Sequence, residues 1–228
     1  MLKSFFSFFI CLSFLVGCNN ETPVSTSTDF TKSSDLTKGR VEIAKVIVNQ
    51  PAGDIGGGVL VPGTFFPPTK NAFSMLRRGK DWIKYKLHTN GLPPGAYTNW
   101  FIIFNNPENC DGDCDDTDIG NPATNASVFW ATGGIVHHNG VGNFSSKVRI
   151  GEISEDPRQH ILGPGLLNPE TAEVHIIIKY HGLPSEDPEE LWLQTHTLTG
   201  LCEEGANAVD LGPPLGLQCF DPQIAIHR

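Results

Sequence analysis

Basic side chains are scarce in this chain: 16 Lys and Arg stand against 25 Asp and Glu, a formal net charge of -9. Residues 1–17 hold one lysine and no acid, so without them 15 basic residues face 25 acidic ones, or -10. No basic run exceeds the pair Arg77-Arg78. Binding nucleic acid needs a basic face against the phosphates, so the charge excludes a nucleic-acid partner. Also missing are a Gly-x-Ser-x-Gly elbow, a Cys-x-x-Cys pair and any convincing amphipathic helix. Each absence removes a class: the common serine hydrolases, zinc ribbons and helical bundles.

What is present is moderately apolar and rich in turn formers. Hydrophobic residues make up 39% and charged residues 18%, which excludes a disordered polyelectrolyte. The 24 glycines and 17 prolines favour short strands joined by turns. Residues 82–108 form the central stretch. Ile83, Tyr85 and Leu87 alternate with Lys84, Lys86 and His88, the period of a half-buried strand. Gly91-Leu92-Pro93-Pro94-Gly95 reverses the chain. Trp100-Phe101-Ile102-Ile103-Phe104 is apolar throughout, as in a central strand covered on both faces. The two strands read as a hairpin-like pair.

Further strands are expected at residues 41–48, 127–131, 172–181, 191–198 and 223–226. Residues 71–78 read as a brief helical turn, and 151–170 as a long polar loop with three prolines. Asn139-Gly140 carries the strongest hairpin signal, followed by a half-exposed strand with Phe144, Ser146, Val148 and Ile150 on one side. In 172–181 the shared side carries Val174, Ile176, Ile178 and Tyr180. The resulting fold class is all-β: an antiparallel β-sandwich of Greek-key type with about eight strands and long loops.

At the N-terminus a short positive start, Met1-Leu2-Lys3, leads into an apolar run over residues 4–16. That run is too short to span a bilayer and fits a secretory signal. It ends in Leu15-Val16-Gly17-Cys18, which resembles the lipobox of bacterial lipoproteins. The resemblance implies cleavage after Gly17 and a lipid on Cys18, making the membrane a partner. Asn19 stands where an aspartate would favour retention in the inner membrane, so the implied location is the outer membrane of the cell envelope. The organisation is thus a signal peptide over 1–17, a lipidated Ser/Thr-rich tether over 18–40, and one domain over 41–228.

Four further cysteines, Cys110, Cys114, Cys202 and Cys219, suggest two disulfides in an exported chain. Of the three pairings, locality favours Cys110–Cys114 and Cys202–Cys219. The second closure would stabilise by about 3 kcal/mol on the chain-entropy estimate. Around the first lie Asp111, Asp113, Asp115, Asp116 and Asp118. Hard oxygen ligands at this density suit calcium, the one cofactor suggested here. An EF-hand is excluded, because Asp116 stands at the glycine position and Pro122 at that of the bidentate glutamate. The alternative is a solvated loop pinned by a small disulfide.

His175 and His181 share one face of a strand, and His196 lies in the neighbouring strand expected at 191–198. Three converging imidazoles could hold zinc or copper. The Gly91–Gly95 turn and the strand pattern resemble copper/zinc superoxide dismutases, implying a Greek-key sandwich with a histidine-bound metal. Where those enzymes place a His-x-His after the turn, this chain has Tyr97-Thr98-Asn99-Trp100. Gly56-Gly57-Gly58 lacks the lysine of a phosphate loop, and the pairs Glu189-Glu190 and Glu203-Glu204 read as solvated surface. Trp82, Trp100, Trp130 and Trp192 read as strand residues packed in the core.

The blocks GLPPGAYTNWFIIFNNPENC, VHHNGVGNF and AEVHIIIKYHG are also similar to a family of exported bacterial proteins of unassigned function. That resemblance implies a single domain with the acidic cysteine loop as an insertion. With no catalytic residue to name, the sequence points to a lipid-anchored binding or structural module. Its protein or glycan ligand stays open. A superoxide-dismutase-like metalloenzyme and a calcium-stabilised adhesion module are the alternatives.

Overall fold

The computed structural model describes residues 39–49, 68, 71–202 and 220–228, all within the unit Leu36–Arg228. The signal peptide expected over 1–17, the tether expected from Cys18 as far as residue 38, Gly56-Gly57-Gly58, Glu203-Glu204 and Cys219 lie outside the described residues.

Among the described residues nine strands form one antiparallel sheet, so the all-β class holds. They are β1 (Arg40–Val48), β2 (Phe73–Arg78), β3 (Trp82–Thr89), β4 (Gly95–Phe104), β5 (Ala126–Val136), β6 (Gly142–Arg149), β7 (His160–Leu162), β8 (Glu173–Tyr180) and β9 (Phe220–His227). Their order is β6-β3-β2-β1-β9-β8-β4-β5-β7. Strand β1 is where the sheet curls. Its residues Arg40 to Lys45 pair with β2, and Val46 to Val48 pair with β9.

The curl brings both halves of the sheet, β6 to β1 and β9 to β7, onto the larger of two apolar clusters among the described residues. Ile83, Tyr85 and Leu87 point into it from β3, as their alternation requires. Val174, Ile176, Ile178 and Tyr180 do so from β8. Strand β4 lies between β8 and β5 and is buried at all its positions, the double coverage that its apolar run demanded.

Both expected hairpins are corrected. Strands β3 and β4 are not neighbours: β3 pairs with β2 and β6, and β4 with β5 and β8. They face across the core instead, with the Tyr85 and Phe101 rings edge to face at 5.4 Å. Likewise, among the described residues, β5 pairs with β4 and β7, and β6 with β3 alone. The Asn139-Gly140 turn is real, with Gly140 at φ +67° and its N–H on the His137 carbonyl at 2.9 Å. Asn139 does not share the positive φ that a two-residue hairpin needs, so the turn carries the chain between the halves.

Three local expectations also change. Residues 71–78 hold strand β2, whose polarity is mixed: Ser74 and Arg78 point inward beside Leu76, while Phe73 and Met75 face out beside Arg77. That mixture hid the alternation. Residues 191–198 are no strand, since α1 (Pro188–His196) occupies most of them and holds Trp192. The Asp187 carboxylate caps α1 by accepting from the N–H groups of Glu189 and Glu190, and Pro188 opens it. So Glu189-Glu190 is an N-terminal helical turn, favoured there by the helix dipole. Finally, the loop expected over 151–170 carries β7, and Ile150 lies past the end of β6 with its side chain exposed.

Candidate functional site

One constellation has the composition of a catalytic triad. Ser74 Oγ lies 2.9 Å from His227 Nε2, and His227 Nδ1 faces Glu42 Oε2 at 4.0 Å. The surroundings give it another role. Both Glu42 oxygens accept from Arg78, Nε at 2.8 Å and Nη2 at 3.0 Å, and Arg78 Nη1 donates to the Pro169 and Ala172 carbonyls. Ser74 is 0% exposed and His227 2%, so no substrate carbonyl reaches the hydroxyl. Burial pushes the His227 pKa down to about 4, against the pull of Glu42 and with help from Arg78 and His175. Its Nδ1 has no hydrogen-bond partner. This is a sealed polar cluster tying β1, β2 and β9 to the chain before β8.

On the outer side of β4 and β8 the acidic loop acts as a cover. Cys110 and Cys114 are joined, with Cα atoms 5.1 Å apart, and the bridge packs on Ile102, Phe104 and Ala126. The Asp118 carboxylate is buried and accepts from the N–H groups of Asp111 and Asp115, both at 3.1 Å. Asp115 caps the following 3₁₀ turn, Asp116–Asp118, by accepting from Thr117 N and Oγ1. Those two bonds hold its pKa below the usual carboxylate range. Asp113 pairs with Arg228 at 3.1 Å, while Asp111 and Asp116 face solvent. The five carboxylates thus serve as caps, an ion pair and surface rather than closing on one point.

The histidines are apart as well. His175 is buried: its Nε2 donates to Glu173 Oε1 at 2.7 Å and its ring rests on Phe104. His181 is fully buried with Nε2 2.7 Å from Thr98 Oγ1, which also accepts from Trp100 Nε1. Burial, aided by Lys179, pushes its pKa down to about 3. His196 belongs to α1, stacked between the Trp130 and Trp192 rings at 5.0 Å from each. Among the described residues no three His, Cys, Asp or Glu side chains gather as a metal needs. Cys202 is disulfide-bonded.

An open feature lies on the other half of the sheet. A groove of about 370 Å³ runs over the outer face of β2, β3 and β6, lined by Phe73, Met75, Lys86, His88, Asn143 and Ser145. The registers place Ile43, Met75, Lys86 and Ser145 in one row across four strands, and Lys45, Phe73, His88 and Asn143 in the next. A third row holds Val41, Arg77, Lys84 and Lys147, with Lys147 Nζ 4.6 Å over the Trp82 ring. Sequence reasoning missed this face, because its residues come from four separate segments. The signal for two of them was the wet side of β3 and β6.

No protein-family model matches the chain, and no curated protein or solved structure matches it either.

Proposed function

We propose that the protein is a lipid-anchored β-sandwich of the bacterial envelope, a binding module held through Cys18 that meets its partner with the outer face of β1, β2, β3 and β6. The observation that carries this reading is a contrast in accessibility. The Ser74 hydroxyl and the buried histidines are closed off in internal hydrogen bonds, whereas this face, among the described residues, leaves apolar and cationic side chains exposed. The sandwich description is supported by the connections β3–β4 and β5–β6, which cross between the halves, and by Tyr85 meeting Phe101 over the core.

Two measurements test it. Palmitate fed to cells making the full chain should label the protein, and Cys18→Ser should abolish the label; equal labelling would refute the anchor. Lys86→Cys should react with a maleimide in purified protein and be protected in isolated envelopes, while Asp116→Cys stays reactive in both. Equal reactivity of Lys86→Cys in the two settings would refute the binding face.

A further inference from the structure

The sheet pairing brings together charges that the sequence scatters. Lys45 on β1, Arg77 on β2, Lys84 and Lys86 on β3, and Lys147 and Arg149 on β6 all stand at outward positions of one face. No Asp or Glu occupies an outward position of these paired segments. Arg149 pairs with Asp81 at the rim, but among the described residues no carboxylate pairs with Lys45, Arg77, Lys84 or Lys86. In a chain of net charge -9 this face is locally cationic.

Apolar side chains stand among those cations. Ile43 is 72% exposed, Val41 50% and Phe73 39%. Lone exposed aliphatics need no explanation, but among the described residues these share one continuous sheet face with the lysines. Cations around apolar side chains are the chemistry of a surface that rests on phosphate headgroups and dips its apolar part below them.

We infer that the outer face of β1, β2, β3 and β6 docks on a bilayer surface carrying anionic phospholipid headgroups. The inference deepens the proposed function and rests on its reading of that face as the binding surface. Chain geometry agrees with it. Cys18 precedes Arg40 by about 22 residues, an extended reach of roughly 70 Å. The tether enters the domain on β1, whose outward Val41, Ile43 and Lys45 belong to the face. The overall negative charge does not cancel the attraction. At physiological salt the Debye length is about 8 Å, so a bilayer meeting this face senses the nearby cations far more than acids on the remote side. Each lysine near an anionic bilayer strengthens binding about fivefold.

Flotation tests the inference with the chain from residue 18 onward, made without lipid. Vesicles of phosphatidylcholine alone are compared with vesicles of equal parts phosphatidylcholine and phosphatidylglycerol. The protein should float with the anionic vesicles only, and should be released by high salt. Replacing Lys84, Lys86 and Lys147 together by Gln should weaken that binding about a hundredfold without changing the melting temperature, and Arg158→Gln on another surface should leave it unchanged. Equal binding to both vesicles would overturn the inference, as would binding to neither. Retention on single-stranded DNA or heparin with no vesicle binding would overturn it too, assigning the face to a soluble polyanion. Because this protein carries no acyl chain, a failure of Cys18 lipidation cannot produce any of these results. Protection of Lys86→Cys in envelopes without vesicle binding would keep the binding face and remove the bilayer as its occupant.

Discussion

The Tyr85 hydroxyl on β3 donates to Asn99 Oδ1 on β4 at 2.9 Å, across the core between strands that share no ladder. Asn99 Nδ2 has no hydrogen-bond partner, and both residues are fully buried. This bond is a polar stitch between the two halves of the curled sheet. Burial raises the Tyr85 pKa, so the phenol remains a donor at all working pH values.

Tyr85→Phe should therefore destabilise by about 1–3 kcal/mol, because it leaves the Asn99 carbonyl oxygen buried and unpaired. Adding Asn99→Leu should recover much of that loss, since removing both polar partners is milder than removing one. Urea unfolding of the two single variants and the double variant checks the coupling. Additive losses would show that the bond does not join the halves.

Glu42→Ala should cost about 3–5 kcal/mol, because it leaves the buried Arg78 guanidinium without its carboxylate. The Pro169 and Ala172 carbonyls still accept from Arg78 Nη1, so some order before β8 should survive. Thermal melting measures the first effect, and hydrogen exchange of the Ala172 amide the second.

Acid should weaken the fold through two histidines. His181 and His227 have folded pKa values of about 3 and about 4, below the ordinary 6.5. As pH falls below 6.5 the unfolded chain takes up these protons first, so the native state loses stability progressively toward pH 4 and then 3. Above 6.5 both are neutral in either state, and their contribution is constant. His227→Gln should flatten the upper part of this slope. A melting temperature unchanged between pH 7 and pH 4.5 would contradict the assignment.

Helix α1 docks only because Gly133 has no side chain: a Cβ there would collide with the Thr195 carbonyl. Gly133→Ala should push α1 away from β5, breaking the 3.0 Å bond from Trp130 Nε1 to Thr195 O and the Trp130–His196–Trp192 stack. A red shift of tryptophan emission, with strand content retained by circular dichroism, is the expected signature.

Reducing Cys110–Cys114 should cost about 2 kcal/mol, because so short a loop constrains the unfolded chain little. Chelator should leave the melting temperature unchanged, since Asp115 and Asp118 are occupied with backbone N–H groups. A drop on chelation, reversed by calcium, would show that this loop holds the cation.

Much of the strand content was legible wherever apolar residues marked the inward side. Ile83, Tyr85 and Leu87 on β3, and Val174 to Tyr180 on β8, follow from local alternation alone. Strand β2 was not, because Ser74 and Arg78 occupy its buried side and are tolerable there only through His227, Glu42 and two carbonyls from distant segments. Helix α1 had left its mark in Asp187-Pro188-Glu189-Glu190, a start signal outweighed by the spacing of Leu191 and Leu193. Of the candidate sites, the cysteine pair Cys110–Cys114 followed from proximity in the chain, whereas the open cationic face belonged to no single segment.

The sequence by itself determined where the chain extends and which side of most strands is greasy, because side chains alternate within a strand regardless of its neighbours. Only the tertiary structure decided which strands lie side by side, turning two apparent hairpins into crossings between the halves. It also decided that His175 is covered and that six cations share one face. Those outcomes depend on pairing between segments far apart in the chain, and a net charge of -9 sums over the whole molecule without saying where each sign is placed.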